Sequence, residues 1–255
     1  MFSLTSRGWQ YFDPDENRWI NTVNHTFNEN LVAMAKKNSF FSKPHADDLL
    51  PAFSGTKILC VGKNYRKHAA EMGGEVPSRP LWFYKPPSAI IGENGVVRLP
   101  KNVGRIDYEG ELILVISKKC RNVSVKEAAE YIGGVTAGFD MTARDLQKTD
   151  GQWTRAKGFD TFLPLASLVA PYCEEWKRAP LEVRLNNSVV QSSSVEAMVF
   201  GFNELISDIS SCMTLEPGDL IMTGTPEGVG PVKSGDKILC SITGPCKISV
   251  EVTCE

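Results

Sequence analysis

Histidine is scarce in this chain, with three among 255 residues, and that limits the metal chemistry it can support. His25, His45 and His68 are too few and too scattered for a centre built on several imidazoles. Any resident cation has to be held by carboxylates, which favours a hard ion. Cysteine is present but unpatterned. The seven thiols are odd in number and contain no C-x-x-C pair, which argues against a disulfide framework or a zinc ribbon and for reduced thiols inside a cell. No apolar run approaches the ~20 residues of a membrane-spanning helix, so no membrane partner is expected. Neither sign of charge dominates: 28 Lys and Arg against 30 Asp and Glu leave a net charge of −2. That balance removes a basic nucleic-acid surface and an acidic solvating tail. No G-x-G-x-x-G follows a strand and no Walker P-loop is present, so nucleotide binding has no motif behind it. The first twelve residues carry one Arg, no acid and no apolar core, which argues against a secretory signal. Cytoplasm and mitochondrion both stay open as the expected compartment.

What is present is a chain long enough for one to two domains at about 150 residues each, with a hydrophobic share of 42% to build a core. Residues 1–55 differ from the rest and read as a small N-terminal extension packed on a main domain spanning 56–255. They are rich in Asn, and Trp9, Tyr11, Phe12 and Trp19 flank Asp13-Pro14-Asp15-Glu16 as a hairpin would. Residues 29–37 suit two or three helical turns. From residue 56 onward, strands are expected at 57–61, 81–84, 107–116, 135–139, 220–223 and 237–242, and helices at 65–72, 125–132, 142–147 and 197–213. Turns such as Glu216-Pro217-Gly218-Asp219 separate them. Strands that do not alternate regularly with helices indicate an α+β fold, predominantly β, and not a doubly wound sheet.

The densest chemical signal is RIDYEGELILVI, residues 105–116. Strand alternation places Asp107, Glu109 and Glu111 on one face. Carboxylates two residues apart lie roughly 6–7 Å from one another, and at an effective dielectric near 20 each pair repels by about 2–3 kcal/mol. Solvent at the strand start, basic partners or a bound cation can offset that. Asp140 in GFDMTARDLQ ends an apolar strand, and Thr142 with Asp145 has the spacing of a capping box. Asp140 serves as a turn residue or as a third carboxylate ligand beside Glu109 and Glu111, a set that suits Mg²⁺ or Mn²⁺. Arg144 and Gln147, three apart, point the same way.

In VGKNYRKHAAEMGG, His68 and Glu71 are i and i+3 on a short helix. They form either a surface pair or an oriented general base for water. Gly73-Gly74 serves there as a C-cap or a hinge. Lys85 and Lys157 stand alone in apolar, aromatic text, where each is either solvated or placed to hold a substrate oxygen. TGTPEGVGP, residues 223–231, offers backbone N–H groups and the Thr223 and Thr225 hydroxyls to a small anion, or glycines for turn geometry alone.

Taken in order, VGKNYRKHAAEM, FYKPPSAI, DYEGELILVI, GFDMTARDLQ, WTRAKGFDTFLP and LIMTGTPEGVGPVKSGD closely resemble the fumarylacetoacetate hydrolase superfamily, especially its short acylpyruvate hydrolase branch. The likeness runs from about residue 56 to the end. It implies a mixed β-sandwich roll, a homodimer and one Mg²⁺ or Mn²⁺ per site. Carried over residue by residue, the metal ligands fall on Glu109, Glu111 and Asp140, and the His–Glu dyad on His68 and Glu71. The lysine falls on Lys157, and the residues that meet the oxo-acid end fall on Arg144, Gln147 and Thr225.

The expected reaction is metal-dependent hydrolysis of a C–C bond in 3-acylpyruvates through a metal-stabilised enolate, with His68 and Glu71 activating water. Oxaloacetate decarboxylation and enol–keto tautomerisation draw on the same residues. A different class of expectation is a non-catalytic dimer that binds a 2-oxo acid.

Overall fold

In the computed structural model, which describes residues 1–5, 8–13, 18–21, 26–29, 32, 49–243 and 246–255, the apolar run after Glu111 becomes the spine of the molecule. The strand Gly110–Ile116 pairs antiparallel with Ile132–Phe139 on one side and with Leu220–Met222 on the other. Leu220–Met222 runs parallel to Ile58–Gly62, whose far edge is closed by Leu81–Lys85. Every residue of Gly110–Ile116 is buried, as expected of a strand covered on both faces. Its alternating side chains divide between two cores. Leu112, Leu114 and Ile116 share one core with Val183, Ile238, Ile248 and Val250, whereas Ile113 and Val115 share another with Ile58, Leu220, Phe2 and Trp9.

The first core is roofed by a second sheet of five strands, in the order Ser188–Ser194, Pro180–Leu185, Lys237–Ser241, Lys247–Cys254 and Val96–Leu99. The molecule is therefore a β sandwich with a few short helices, the predominantly β, α+β class expected from the sequence. The longest helix, Phe202–Cys212, turns Phe202, Leu205, Ile206 and Ile209 inward. Among the described residues, no helix is long and apolar enough to cross a membrane.

The amino-terminal strands belong to the large sheet. Phe2–Thr5 pairs with Leu168–Pro171, and Gly8–Asp13 pairs with Phe2–Thr5 and Arg18–Asn21. The aromatic hairpin is present, and the Phe12 and Trp19 rings meet edge-on at 5.8 Å. Most of the expected helix at 29–37 lies outside the described residues, as do His25 and His45.

Two expectations fail for local reasons. The single strand at 107–116 is broken at Glu109 into Ile106–Tyr108 and Gly110–Ile116. Ile106–Tyr108 leaves the large sheet for its own ladder with Thr142–Ala143 and Gly230–Pro231. The capping box is also absent. The helix Arg144–Thr149 starts after Ala143, the Thr142 hydroxyl donates to the Asp140 carbonyl, and Asp145 accepts from the Arg105 N–H.

Asp219 ties the central parallel pair together. One of its carboxylate oxygens accepts from the Thr56 N–H, the Thr56 hydroxyl and the Lys57 N–H at 2.7–3.0 Å. The other meets the Lys57 ammonium and the Glu216 N–H. Removing this buried carboxylate orphans several donors at once, each worth about 1–3 kcal/mol when left unpaired in the interior. Asp219→Ala is expected to cost about 3–5 kcal/mol of stability, the range for breaking one side of a buried ion pair. Urea unfolding of the purified variant measures it.

Candidate active site

The break at Glu109 builds the site. The Asp140 N–H donates to the Glu109 carbonyl at 2.9 Å, which locks the kink of one strand to the end of its neighbour Ile132–Phe139. Glu109, Glu111 and Asp140 are all buried, and one carboxylate oxygen from each lies within 4.8 Å of the others. Gly110 permits this approach, because a Cβ there would fall 2.2 Å from Val183 Cγ2 in the opposite sheet. Gly110→Ala is expected to cost about 1–3 kcal/mol by overpacking and to displace Glu109 and Glu111 together. The midpoint of urea unfolding reads the first effect.

Burial of so many carboxylates requires counter-charge, and the sequence supplies it from distant segments. Lys157 Nζ bridges Glu109 Oε2 at 2.7 Å and Asp140 Oδ2 at 2.5 Å. It also stands 5.0 Å above the Phe83 ring. Arg144 Nε donates to Asp107 Oδ2 at 2.8 Å and Nη1 to Gln147 Oε1 at 2.8 Å. Its Nη2 sits 2.5 Å from Glu109 Oε1 as an ion pair without hydrogen-bonding geometry. Asp107 is thus spent on Arg144 and Arg105 and stands apart from the triad.

Lys85 is not placed to hold a substrate. Its ammonium donates to Asp140 Oδ1, the Met141 carbonyl and the Lys157 carbonyl, which uses all three of its protons. It fixes Asp140 and the end of the helix Thr154–Lys157 instead.

The carboxylates are electrostatically unlike. Burial works against ionisation of Glu109, but Lys157 and Arg144 outweigh it and hold the group well below the usual carboxylate range. Burial pushes Glu111 well above that range, with Asp140 and Glu109 adding to the shift and the Gly224 N–H opposing it. Lys157 is held charged by Asp140 and Glu109 despite its burial. Among the described residues, Glu111 hydrogen-bonds to no cation, only to the Gly224 N–H at 2.8 Å. The triad offers only oxygen donors, and Glu111 has no cation of its own among the described residues, so these three carboxylates fit a hard divalent cation.

His68 is buried on the helix Arg66–Glu71, and its Nδ1 lies 3.2 Å from Glu71 Oε2. Both Glu71 oxygens accept from the Gly228 N–H, at 3.0 and 3.2 Å. The segment at 223–231 therefore spends two N–H groups on the protein's own carboxylates, Gly224 on Glu111 and Gly228 on Glu71. The Thr225 hydroxyl donates to the Gly110 carbonyl at 2.9 Å and accepts from Gln191 Nε2 at 2.8 Å.

A cavity of about 210 Å³ is lined by His68, Glu109, Glu111, Asp140, Arg144, Gln147, Lys157 and Thr225. Every site residue that the family resemblance named except Glu71 therefore faces one space, Glu71 stands behind His68, and Lys85, Asp107 and Thr223 do not line it. Gln191 is the residue that sequence reasoning missed. It joins Thr225 to the Gly110 N–H, at 2.8 and 3.0 Å, and so braces the triad from the opposite sheet. Its only sequence signal is a lone amide in the serine-rich run 188–194. Trp153 was missed as well. It lies against Gly62, where a Cβ would come within 2.7 Å of its ring.

Comparison with known proteins gives the family. The family model described as the fumarylacetoacetate hydrolase C-terminal domain matches residues 57–253. The mitochondrial oxaloacetate tautomerase FAHD1 of Arabidopsis thaliana is 44% identical over 203 residues, covering 78% of this chain and 91% of the plant protein. The mitochondrial oxaloacetate decarboxylase of Dictyostelium discoideum is 42% identical over 197 residues, covering 75% and 90%. Among solved structures, a fumarylpyruvate hydrolase from Pseudomonas aeruginosa in complex with Mn²⁺ and pyruvate is 30% identical, with a TM-score of 0.74, covering 86% of this chain and all of that one. The chain belongs to the fumarylacetoacetate hydrolase family, whose members are hydrolases, isomerases and decarboxylases.

Proposed function

We propose that the protein hydrolyses a C–C bond in 3-acylpyruvates, giving pyruvate and a carboxylate, with a divalent metal as cofactor. The observation that carries this reading is the cavity shared by the carboxylate triad and the His68–Glu71 pair. Mg²⁺ or Mn²⁺ held by Glu109, Glu111 and Asp140 supplies Lewis-acid polarisation of the substrate's keto oxygen.

The chain's own residues do the rest. Arg144 and Gln147, joined to each other, present the guanidinium and amide to the substrate carboxylate. The Lys157 ammonium donates to the oxygen on carbon 2 as negative charge collects there. Thr225, braced by Gln191, bounds the same end. His68 takes a proton from water while the water oxygen bonds to the distal acyl carbon, and Glu71 stabilises the imidazolium. The bond between carbons 3 and 4 then breaks, its electron pair passes into the enolate of pyruvate, and His68 returns its proton to carbon 3.

The relatives named for oxaloacetate favour a second reading, enol–keto tautomerisation or decarboxylation of oxaloacetate. It uses the same stabilisation of charge on the oxygen of carbon 2, and in the tautomerisation His68 moves the proton at carbon 3. Purified protein assayed with acetylpyruvate and with oxaloacetate, in Mg²⁺ or Mn²⁺ and after chelation, separates the readings. Metal-dependent pyruvate release from acetylpyruvate supports hydrolysis, and turnover of oxaloacetate alone supports the second reading. Binding of either acid without turnover would leave only a non-catalytic 2-oxo acid-binding protein. A homodimer is part of the proposal, because Leu81–Lys85 is an edge strand with Leu81 and Tyr84 exposed. Sedimentation velocity tests it.

A further inference from the structure

Arg144 and Lys157, which line the inner part of the cavity, also hold buried carboxylates, as does Lys85 behind it. Two further lysines, Lys63 and Lys148, line the same cavity, and among the described residues neither ammonium has an ion-pair or hydrogen-bond partner. Lys148 is exposed on the last turn of its helix, whereas Lys63 is half-buried. The backbone fixes Lys63 unusually well. It has a φ of 56°, a left-handed conformation that a non-glycine residue seldom adopts. Gly62 before it is packed against Trp153. Asn64 after it is wholly buried and hydrogen-bonds to the Phe200 N–H, the Phe200 carbonyl and the Thr223 carbonyl at 2.8–3.1 Å. The side chain runs over the end of the His68 helix, where its Nζ lies 2.8 Å from the point a Cβ on Gly74 would occupy. A side chain at residue 74 would meet the ammonium where it stands.

We infer that Lys63 is a specificity-determining residue that reads a second carboxylate at the far end of the substrate. This rests on the proposed function, which places the first carboxylate and the keto group at the inner end. With Arg144 and Gln147 engaged there, a monocarboxylic 2-oxo acid leaves the Lys63 ammonium unmatched. A dicarboxylic 2-oxo acid places its second anion beside Lys63, in a partly desolvated cleft where a charge-assisted hydrogen bond is stronger than in open water. Its neighbours on both sides hold the Lys63 backbone, and the flexible side chain carries the ammonium from there to the anion.

The test compares binding of oxaloacetate and of pyruvate, with two carboxylates and one, by calorimetry on the Mg²⁺-loaded protein, in the wild type, Lys63→Gln, Lys63→Arg and Lys148→Gln. The wild type is expected to bind oxaloacetate at least tenfold tighter than pyruvate. Lys63→Gln is expected to remove that preference through the oxaloacetate constant alone, with pyruvate binding unchanged. Lys63→Arg retains the charge and should retain the preference, and Lys148→Gln should shift it less than threefold. An unchanged preference in Lys63→Gln, or its loss in Lys148→Gln alone, overturns the assignment. Turnover on the same samples keeps the two claims separable. Preference lost in Lys63→Gln without turnover of any substrate sinks the proposed function and leaves the Lys63 assignment standing. Turnover with no effect of Lys63→Gln on the preference does the reverse.

Discussion

His68→Ala is expected to lower pyruvate release from acetylpyruvate by about 10²–10⁴-fold, the range for a lost general base, with metal affinity and folding intact. The imidazole is buried at the wall of the cavity, and its only side-chain partner among the described residues is Glu71. Removing it touches none of the triad's hydrogen bonds. Glu71→Gln is expected to cost less, because the imidazole remains and loses only the charge that orients it. The Gly228 N–H still finds an acceptor in the Gln amide oxygen. Decarboxylation of oxaloacetate needs stabilisation of the enolate but no attacking water, so it should suffer less than hydrolysis in His68→Ala. Both rates measured on one preparation, with metal content checked, decide the matter. An equal fall in both with metal retained would show that His68 is not specific to water activation and would remove the main mechanistic support for hydrolysis.

Glu111→Gln is expected to abolish metal-dependent turnover and to weaken Mg²⁺ or Mn²⁺ binding by well over a hundredfold. Replacing groups that merely support a ligand costs 10–100-fold, and a direct ligand should exceed that. This substitution is cleaner than Glu109→Gln. Glu109 is a partner of both Lys157 and Arg144, so neutralising it takes one of two counter-charges from each of these buried cations and confounds affinity with stability. Glu111 has no such cation among the described residues, and a Gln oxygen can still accept from the Gly224 N–H. The variant should therefore unfold at nearly the wild-type urea midpoint while failing to take up metal in calorimetry. Chelation of the wild type should reproduce its inactivity, and added Mg²⁺ or Mn²⁺ should restore the wild type alone. Full activity in verified metal-free protein would remove the metal from the mechanism.

The triad was legible in the sequence because alternation fixes where residues 109 and 111 point, and a polar residue ending an apolar strand marks Asp140. The His68–Glu71 pair was legible for the same kind of reason, an i, i+3 spacing on one helical turn. What escaped was set by partners distant in sequence. Lys85 read as a free ammonium because nothing within ten residues of it shows that Asp140, Met141 and Lys157 take its three protons. Strand periodicity is blind to the kink at Glu109, which comes from pairing Ile106–Tyr108 with Thr142–Ala143 and Gly230–Pro231. Gln191 works through a contact 81 residues away at Gly110. The capping box matched in spacing but lost to the Asp140 carbonyl, a nearer acceptor for Thr142. The N-terminal hairpin was visible from its aromatics, but its attachment to Leu168–Pro171 was not, since edge pairing leaves no periodic mark.

The parallel pairing of Ile58–Gly62 with Leu220–Met222 has a consequence for how the protein is made. At a synthesis rate of ~5–20 residues per second, roughly 10–30 s separate emergence of the first strand from that of its partner. From its own emergence until the end of that interval, Gly110–Ile116 lacks a neighbour on one side, and its apolar side chains cannot be fully covered. Gly224, whose N–H meets Glu111, arrives later still. Nascent chains halted before residue 220 are therefore expected to be clients for chaperones and candidates for aggregation, and the surroundings of the carboxylate triad are complete only after residue 224 has left the ribosome.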